Sequence, residues 1–88
     1  MTRRRVTVHG RVQGVGFRYA VARDAQSRGV AGWVRNRPDG TVEAVFEGEP
    51  GPVESLVRVC REGPRGSEID RVDVVVELPQ GLRGFEIR

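Results

Sequence analysis

Gly10-Arg11-Val12-Gln13-Gly14-Val15-Gly16-Phe17-Arg18 is a strand that ends in glycines and hands over to a helix. Val6, Val8 and Val12 stand at alternate positions around Gly10, the period of a strand with one buried face. Phe17, Ala20, Val21 and Ala25 recur at helical spacing, which places a helix start at Gly16 or Phe17. That start breaks two local rules. No Ser, Thr, Asp or Asn caps it, and its first turn carries Arg18, a cation at the end where the backbone dipole is already positive. No acid follows until Asp24. Unpaired amide N–H groups and a guanidinium are thus gathered with nothing negative beside them in sequence.

Two readings of the turn stand. One is a plain glycine connection. The other is an anion site: Gly14 and Gly16, lacking Cβ, let the N–H groups of the loop converge on one phosphate-sized ligand, with Gln13, Gly14, Val15, Gly16, Phe17 and Arg18 as its cradle. Two familiar glycine patterns do not apply. The P-loop needs a Lys before Ser or Thr, and this chain has no Lys; the dinucleotide pattern needs Gly where Tyr19 stands.

Outward from this stretch, the first strand is expected over residues 4–12 and the first helix from Phe17 to about Arg28, closed by Gly29. A second strand runs from Val30 to about Arg37. Pro38-Asp39-Gly40 is turn chemistry, and Val42, Ala44 and Phe46 alternate along a third strand from Thr41 to Glu47, so the two form a hairpin. A second helix from about Pro52 to Glu62 has an apolar stripe of Val53, Leu56, Val57 and Cys60. Asp70 to Leu78 alternates again, and after Pro79-Gln80-Gly81 a short terminal strand holds Phe85 and Ile87. One-faced strands and two amphipathic helices predict an α+β fold, a ferredoxin-like βαββαβ sandwich with an antiparallel sheet, both helices on one face and the other face wet.

The totals narrow the function. Eighty-eight residues predict one domain over residues 1–88. The net charge of +3 favours anionic ligands but is modest for a nucleic-acid binder. The run Arg3-Arg4-Arg5 precedes a strand pattern and not an apolar stretch, so neither an export signal nor a membrane anchor is expected, and the cytoplasm is the default compartment. One Cys and one His exclude a metal site built from several such ligands. Cys60 reads as a buried inert thiol, and His9 as a solvent-facing strand residue with no carboxylate or nucleophile to work with.

Asn36, the only Asn, ends the second strand. It either initiates the turn or holds a water beside a bound phosphate, since an amide donates and accepts at once.

Gly10 to Arg18, together with Gly32-Trp33-Val34-Arg35-Asn36, Gly40-Thr41-Val42 and Gly48, resembles the two signature motifs of the acylphosphatases, and Gly84-Phe85-Glu86-Ile87-Arg88 is similar to that family's last strand. The likeness spans nearly the whole chain. It implies hydrolysis of acyl phosphates to a carboxylate and inorganic phosphate without metal or cofactor. It also implies that Arg18 grips the phosphate with the loop amides and that Asn36 orients the attacking water. The chemistry fits the absence of a general acid: the carboxylate leaving group has a conjugate acid of pKa about 4 and needs no proton. Two positions depart from the family: Arg37 where a small hydroxyl residue often follows the Asn, and a last strand without its usual closing aromatic.

The expected partners are a small acyl phosphate and inorganic phosphate as product and inhibitor, with no nucleic acid and no membrane, for a monomer. Two other functions are weighed. A non-catalytic phosphate-binding module acting with a partner protein would share every motif. An RNA-binding domain on the same architecture would need exposed aromatics on the middle strands, where only Phe46 stands, on the face of Val42.

Overall fold

The computed structural model describes all 88 residues. In chain order the elements are β1 (Thr2–Arg11), α1 (Phe17–Arg28), β2 (Ala31–Asn36), β3 (Val42–Gly48), α2 (Pro50–Glu62), β4 (Glu68–Glu77) and β5 (Phe85–Ile87). This is the expected βαββαβ order with the short strand added, in the ferredoxin-like α+β class. The sheet order is β4-β1-β3-β2-β5. Pairing is antiparallel across the first four strands, while β5 runs parallel to β2, with Gly32 opposite Phe85 and Val34 opposite Ile87.

Each boundary has a local cause. Arg28 and Gly29 close α1, Gly29 adopting the left-handed conformation that lets its N–H reach the last carbonyls. α2 begins at Pro50, two positions before the expected Pro52, because both prolines fall in the first turn, whose N–H groups have no helical acceptor. β1 shifts register against β4 between His9 and Gly10. A Cβ at Gly10 would lie 2.1 Å from the Glu68 carbonyl oxygen, so this bulge admits only glycine.

The core lies between the sheet and the helices. Val6, Val8, Val34, Val42, Ala44 and Phe46 face Phe17, Val21 and Ala25 of α1 and the expected stripe of α2, all fully or nearly fully buried. Phe46 stacks on Phe85 with ring centroids 5.9 Å apart. It is core, as its shared face with Val42 requires.

The opposite face departs from the expectation of a wet surface. Arg3, Glu43, Val45, Glu47 and Trp33 are buried there. The cause is a network of charges: Arg3 pairs with Glu47 and Glu77, Arg5 with Glu43 and Glu77, and Arg35 with Glu43. The guanidiniums of Arg5, Arg35 and Arg88 lie 5.6, 5.7 and 4.8 Å from the centre of the Trp33 ring. The segment after β4 folds back over this face, where the N–H groups of Gln80, Gly81 and Leu82 donate to the Glu47 carboxylate. Alternating charged residues thus cover the second face themselves, Arg3, Arg5 and Arg35 each meeting an anion on a neighbouring strand.

Candidate active site

The site forms where β1 gives way to α1. Gly14 (φ 75°) and Gly16 (φ 79°) are both left-handed, and Gly16 stands at the helix cap with no side-chain hydrogen bond and no acid in the first turn. A Cβ at either glycine would meet nothing within 4 Å, so backbone conformation and not space selects glycine here. The first amide of the helix to find an acceptor is Ala20, whose N–H donates to the Gly16 carbonyl at 3.1 Å. The N–H groups from Gly14 to Tyr19 make no hydrogen bond within the protein. Six consecutive donors at the positive end of a helix are what an oxyanion requires.

All of these residues except Val15 line a cleft of about 200 Å³, together with Val12 and Asn36. Val12 and Phe17 are buried and fix its floor to the core. Arg18 is half-buried, forms no ion pair, and makes a single long contact, Nη1 donating to the backbone oxygen of Arg88 at 3.5 Å. Asn36, half-buried at the end of β2 and opposite Val42, makes no side-chain hydrogen bond with the protein, so its amide is free on the cleft. Five of the seven positions singled out in the sequence, Gly14, Gly16, Phe17, Arg18 and Asn36, therefore meet in one place. Val15 does not line the cleft but packs half-buried against the core.

Gln13 holds a different position from the one its backbone suggested. Its side-chain Nε2 donates to the carbonyls of Arg37 at 2.8 Å and Thr41 at 3.1 Å. The glycine loop is thereby tied to the β2–β3 turn that follows Asn36. Nothing local in the sequence signals this, because the partners lie 24 and 28 positions away. The turn is braced in its own right: the Thr41 N–H and hydroxyl both donate to Asp39 Oδ1, and these bonds, the hydroxyl's first, hold the Asp39 carboxyl below its ordinary pKa. Arg37 contributes its backbone to the turn, while its side chain approaches Asp39 only to 3.9 Å.

His9 and Cys60 both lie outside the cleft. His9 was expected to lack a carboxylate partner, yet its Nε2 lies 2.9 Å from Asp73 Oδ2 and 3.2 Å from Arg71 Nη2, because β4 pairs beside β1. This contact holds the Asp73 carboxyl below its ordinary value. His9 does not border the cleft. Cys60 is buried in α2, and burial pushes its thiol up to about 12, which leaves it unreactive at neutral pH. No three His, Cys, Asp or Glu side chains stand together as a metal site would need.

A ferredoxin-like sheet whose first helix opens uncapped, with free amides and a guanidinium in no ion pair at its start, defines an anion-handling α+β protein. The acylphosphatase family model matches residues 4–87. Acylphosphatases of Nocardioides sp. and Thermococcus kodakarensis are 58% and 52% identical to it, over 94% and 97% of this chain and 84% and 93% of theirs. The crystal structure of acylphosphatase from Bacillus subtilis superposes with a TM-score of 0.95 at 40% identity, covering 100% of this chain and 99% of that one. The chain belongs to the acylphosphatase family. It is a hydrolase of acyl phosphates and releases phosphate. The same fold also occurs within full-length HypF, solved in a phosphate- and nucleotide-bound form, where 99% of this chain matches 12% of that one with a TM-score of 0.88 at 30% identity.

Proposed function

We propose that the phosphoryl group of the substrate sits at the start of α1, held by Gln13, Gly14, Val15, Gly16, Phe17 and Arg18, and that Asn36 orients the attacking water. The observation that carries this reading is the company kept in one cleft. Five residues whose amides have no acceptor, Gly14, Gly16, Phe17, Arg18 and Tyr19, a guanidinium in no ion pair and a carboxamide without a partner border the same 200 Å³. Arg18 takes two phosphate oxygens in its planar fork, and the amides with the helix dipole take the rest. Binding and catalysis then share one set of donors, which strengthen as charge spreads over the equatorial oxygens.

The water oxygen forms a bond to phosphorus as the bond from phosphorus to the acyl oxygen breaks. The carboxylate departs with the bonding pair, and one water proton ends on an oxygen of the released phosphate. No general acid is required, since the leaving group is the anion of an acid of pKa about 4. Asn36 fixes the water through its carbonyl and amide ends, which converts an encounter into an in-line approach. The reaction proceeds without metal, and inorganic phosphate competes for the same donors.

The protein works as a monomer in the cytoplasm on small acyl phosphates, with neither nucleic acid nor membrane as its partner. Supporting this, no helix is long and apolar enough to cross a membrane, and the aromatic that a base-stacking surface would need is spent in the core. The test is hydrolysis of an aryl acyl phosphate followed in the ultraviolet in the presence of chelator, beside Arg18→Ala. Turnover is expected in the parent protein, and a loss of at least ~10²–10³ in the variant, as for removal of one preorganised donor. Phosphate binding that depends on Arg18 without any turnover would favour a binding module acting with a partner protein.

A further inference from the structure

A second concavity, of about 380 Å³, opens on the outer face of α1 and shares Gly16 and Tyr19 with the cleft. Its other walls are Ala20, Arg23, Asp24 and Ser27. Counted from Gly16 these positions form one stripe of the helix, opposite the residues α1 buries in the core. Two features separate this stripe from an ordinary solvated face. Tyr19 leaves a large ring 69% exposed at the wall common to both spaces. Arg23 forms no ion pair, because the adjacent carboxylate of Asp24 is held by Arg28 at 2.7 Å. The third cavity of the molecule, beside Gln26 and Phe85, shares no residue with the cleft.

We propose that this groove is the acyl-side subsite of the hydrolase, and that Tyr19 and Arg23 select acyl phosphates whose acyl group carries a ring or chain ending in a carboxylate. The assignment rests on the placement of the phosphoryl group at the start of α1. With its phosphate and carbonyl in the cleft, a substrate has a continuous path for the rest of its acyl group past Gly16 and Tyr19, the residues that the cleft and the groove share. The Tyr19 ring offers a flat apolar wall to that group. Arg23 lies seven positions beyond Gly16, about 10 Å along the helix, and helical side chains lean toward the N-terminus, which carries its guanidinium back over Ala20 toward Tyr19. An acetyl group ends before it. A longer acyl group with a terminal anion meets a cation that nothing in the protein neutralises.

The experiment compares benzoyl phosphate with 4-carboxybenzoyl phosphate, which differ only in the distal carboxylate, in the parent protein and in Arg23→Gln. The ratio of their kcat/KM values is expected to be about two- to fivefold higher in the parent, the size of an exposed charge pair. Comparing the ratio between proteins removes the electronic effect of the substituent. The advantage should vanish in roughly 1 M salt, where the screening length falls to ~3 Å. Arg23→Gln should lower kcat/KM for 4-carboxybenzoyl phosphate more than for benzoyl phosphate, and Tyr19→Ala should slow both aryl substrates relative to acetyl phosphate. Turnover of both substrates with the same ratio in both proteins overturns the subsite alone. Failure of the parent to hydrolyse benzoyl phosphate at all overturns the phosphoryl placement together with it.

Discussion

In the proposed mechanism Arg18 and Asn36 divide one reaction between two kinds of contact, and the division can be measured. On that proposal Arg18 meets the phosphate in ground and transition state alike, so its loss is expected to affect both binding and turnover. Asn36, by the same proposal, meets only the water. Asn36→Ala is expected to lower kcat by about 10²-fold, as for one oriented hydrogen-bonding group, while the inhibition constant of inorganic phosphate stays within about twofold. Competition by phosphate against an aryl acyl phosphate checks this, and equal weakening in both variants would contradict the division. The place of Arg18 at the helix start is legible in the sequence, where a cation in the first turn opposes the dipole and demands an explanation. Asn36 was not, since an Asn before Arg-Pro-Asp-Gly is equally a turn residue, and only the family resemblance distinguished the two readings. The contacts of the Gln13 side chain have no local signal, since a long amide can bond to any carbonyl that the fold brings near.

At the scale of elements, the glycine loop is a piece of backbone held in a conformation that side chains resist. Gly16 has open space where a Cβ would go, so a substitution there acts through φ alone. Gly16→Val is expected to cost about 1–2 kcal/mol in stability, and to weaken phosphate competition even though Arg18 remains. Denaturant midpoints beside phosphate inhibition constants test both parts; intact phosphate affinity would mean that the loop amides are not the cradle. The elements themselves were largely readable from periodicity, with α1 bounded correctly at both ends. The direction of β5 was not. Phe85 and Ile87 alternate in either orientation, and only the path of residues 78–84, which turns on the buried carboxylate of Glu47, sets the strand parallel to β2.

At the scale of the whole molecule, the charged face makes stability depend on acid. Burial alone would raise the carboxyl pKa of Glu47, but hydrogen bonds from Arg3 and from the amides of Gln80 and Leu82 outweigh it and leave the group below its ordinary 4.5. Glu77 is lowered by its bonds from Arg5 and Arg3, and Glu43, against its own burial, by those from Arg35 and Arg5. A carboxyl whose folded pKa is depressed lends stability above its unfolded value, and loses it as pH falls through the folded one. Thermal midpoints should therefore hold steady above about pH 5 and fall progressively below 4.5. Glu47→Gln should unfold more easily at pH 7, near the low end of the ~3–5 kcal/mol for breaking a buried pair, because Glu77 still faces Arg3. Its acid limb should be shallower. A variant as stable as the parent at neutral pH would show the network to be ornamental. The same interlocking has a kinetic side. β1 lies between β3 and β4, and Arg3 finds partners 44 and 74 positions away, so the central pairings cannot form until distant parts of the chain have met. Loops that long must close before their contacts offer any return, which places folding in the ~millisecond-to-second range and makes the search for this topology, not the growth of its helices, the slow event.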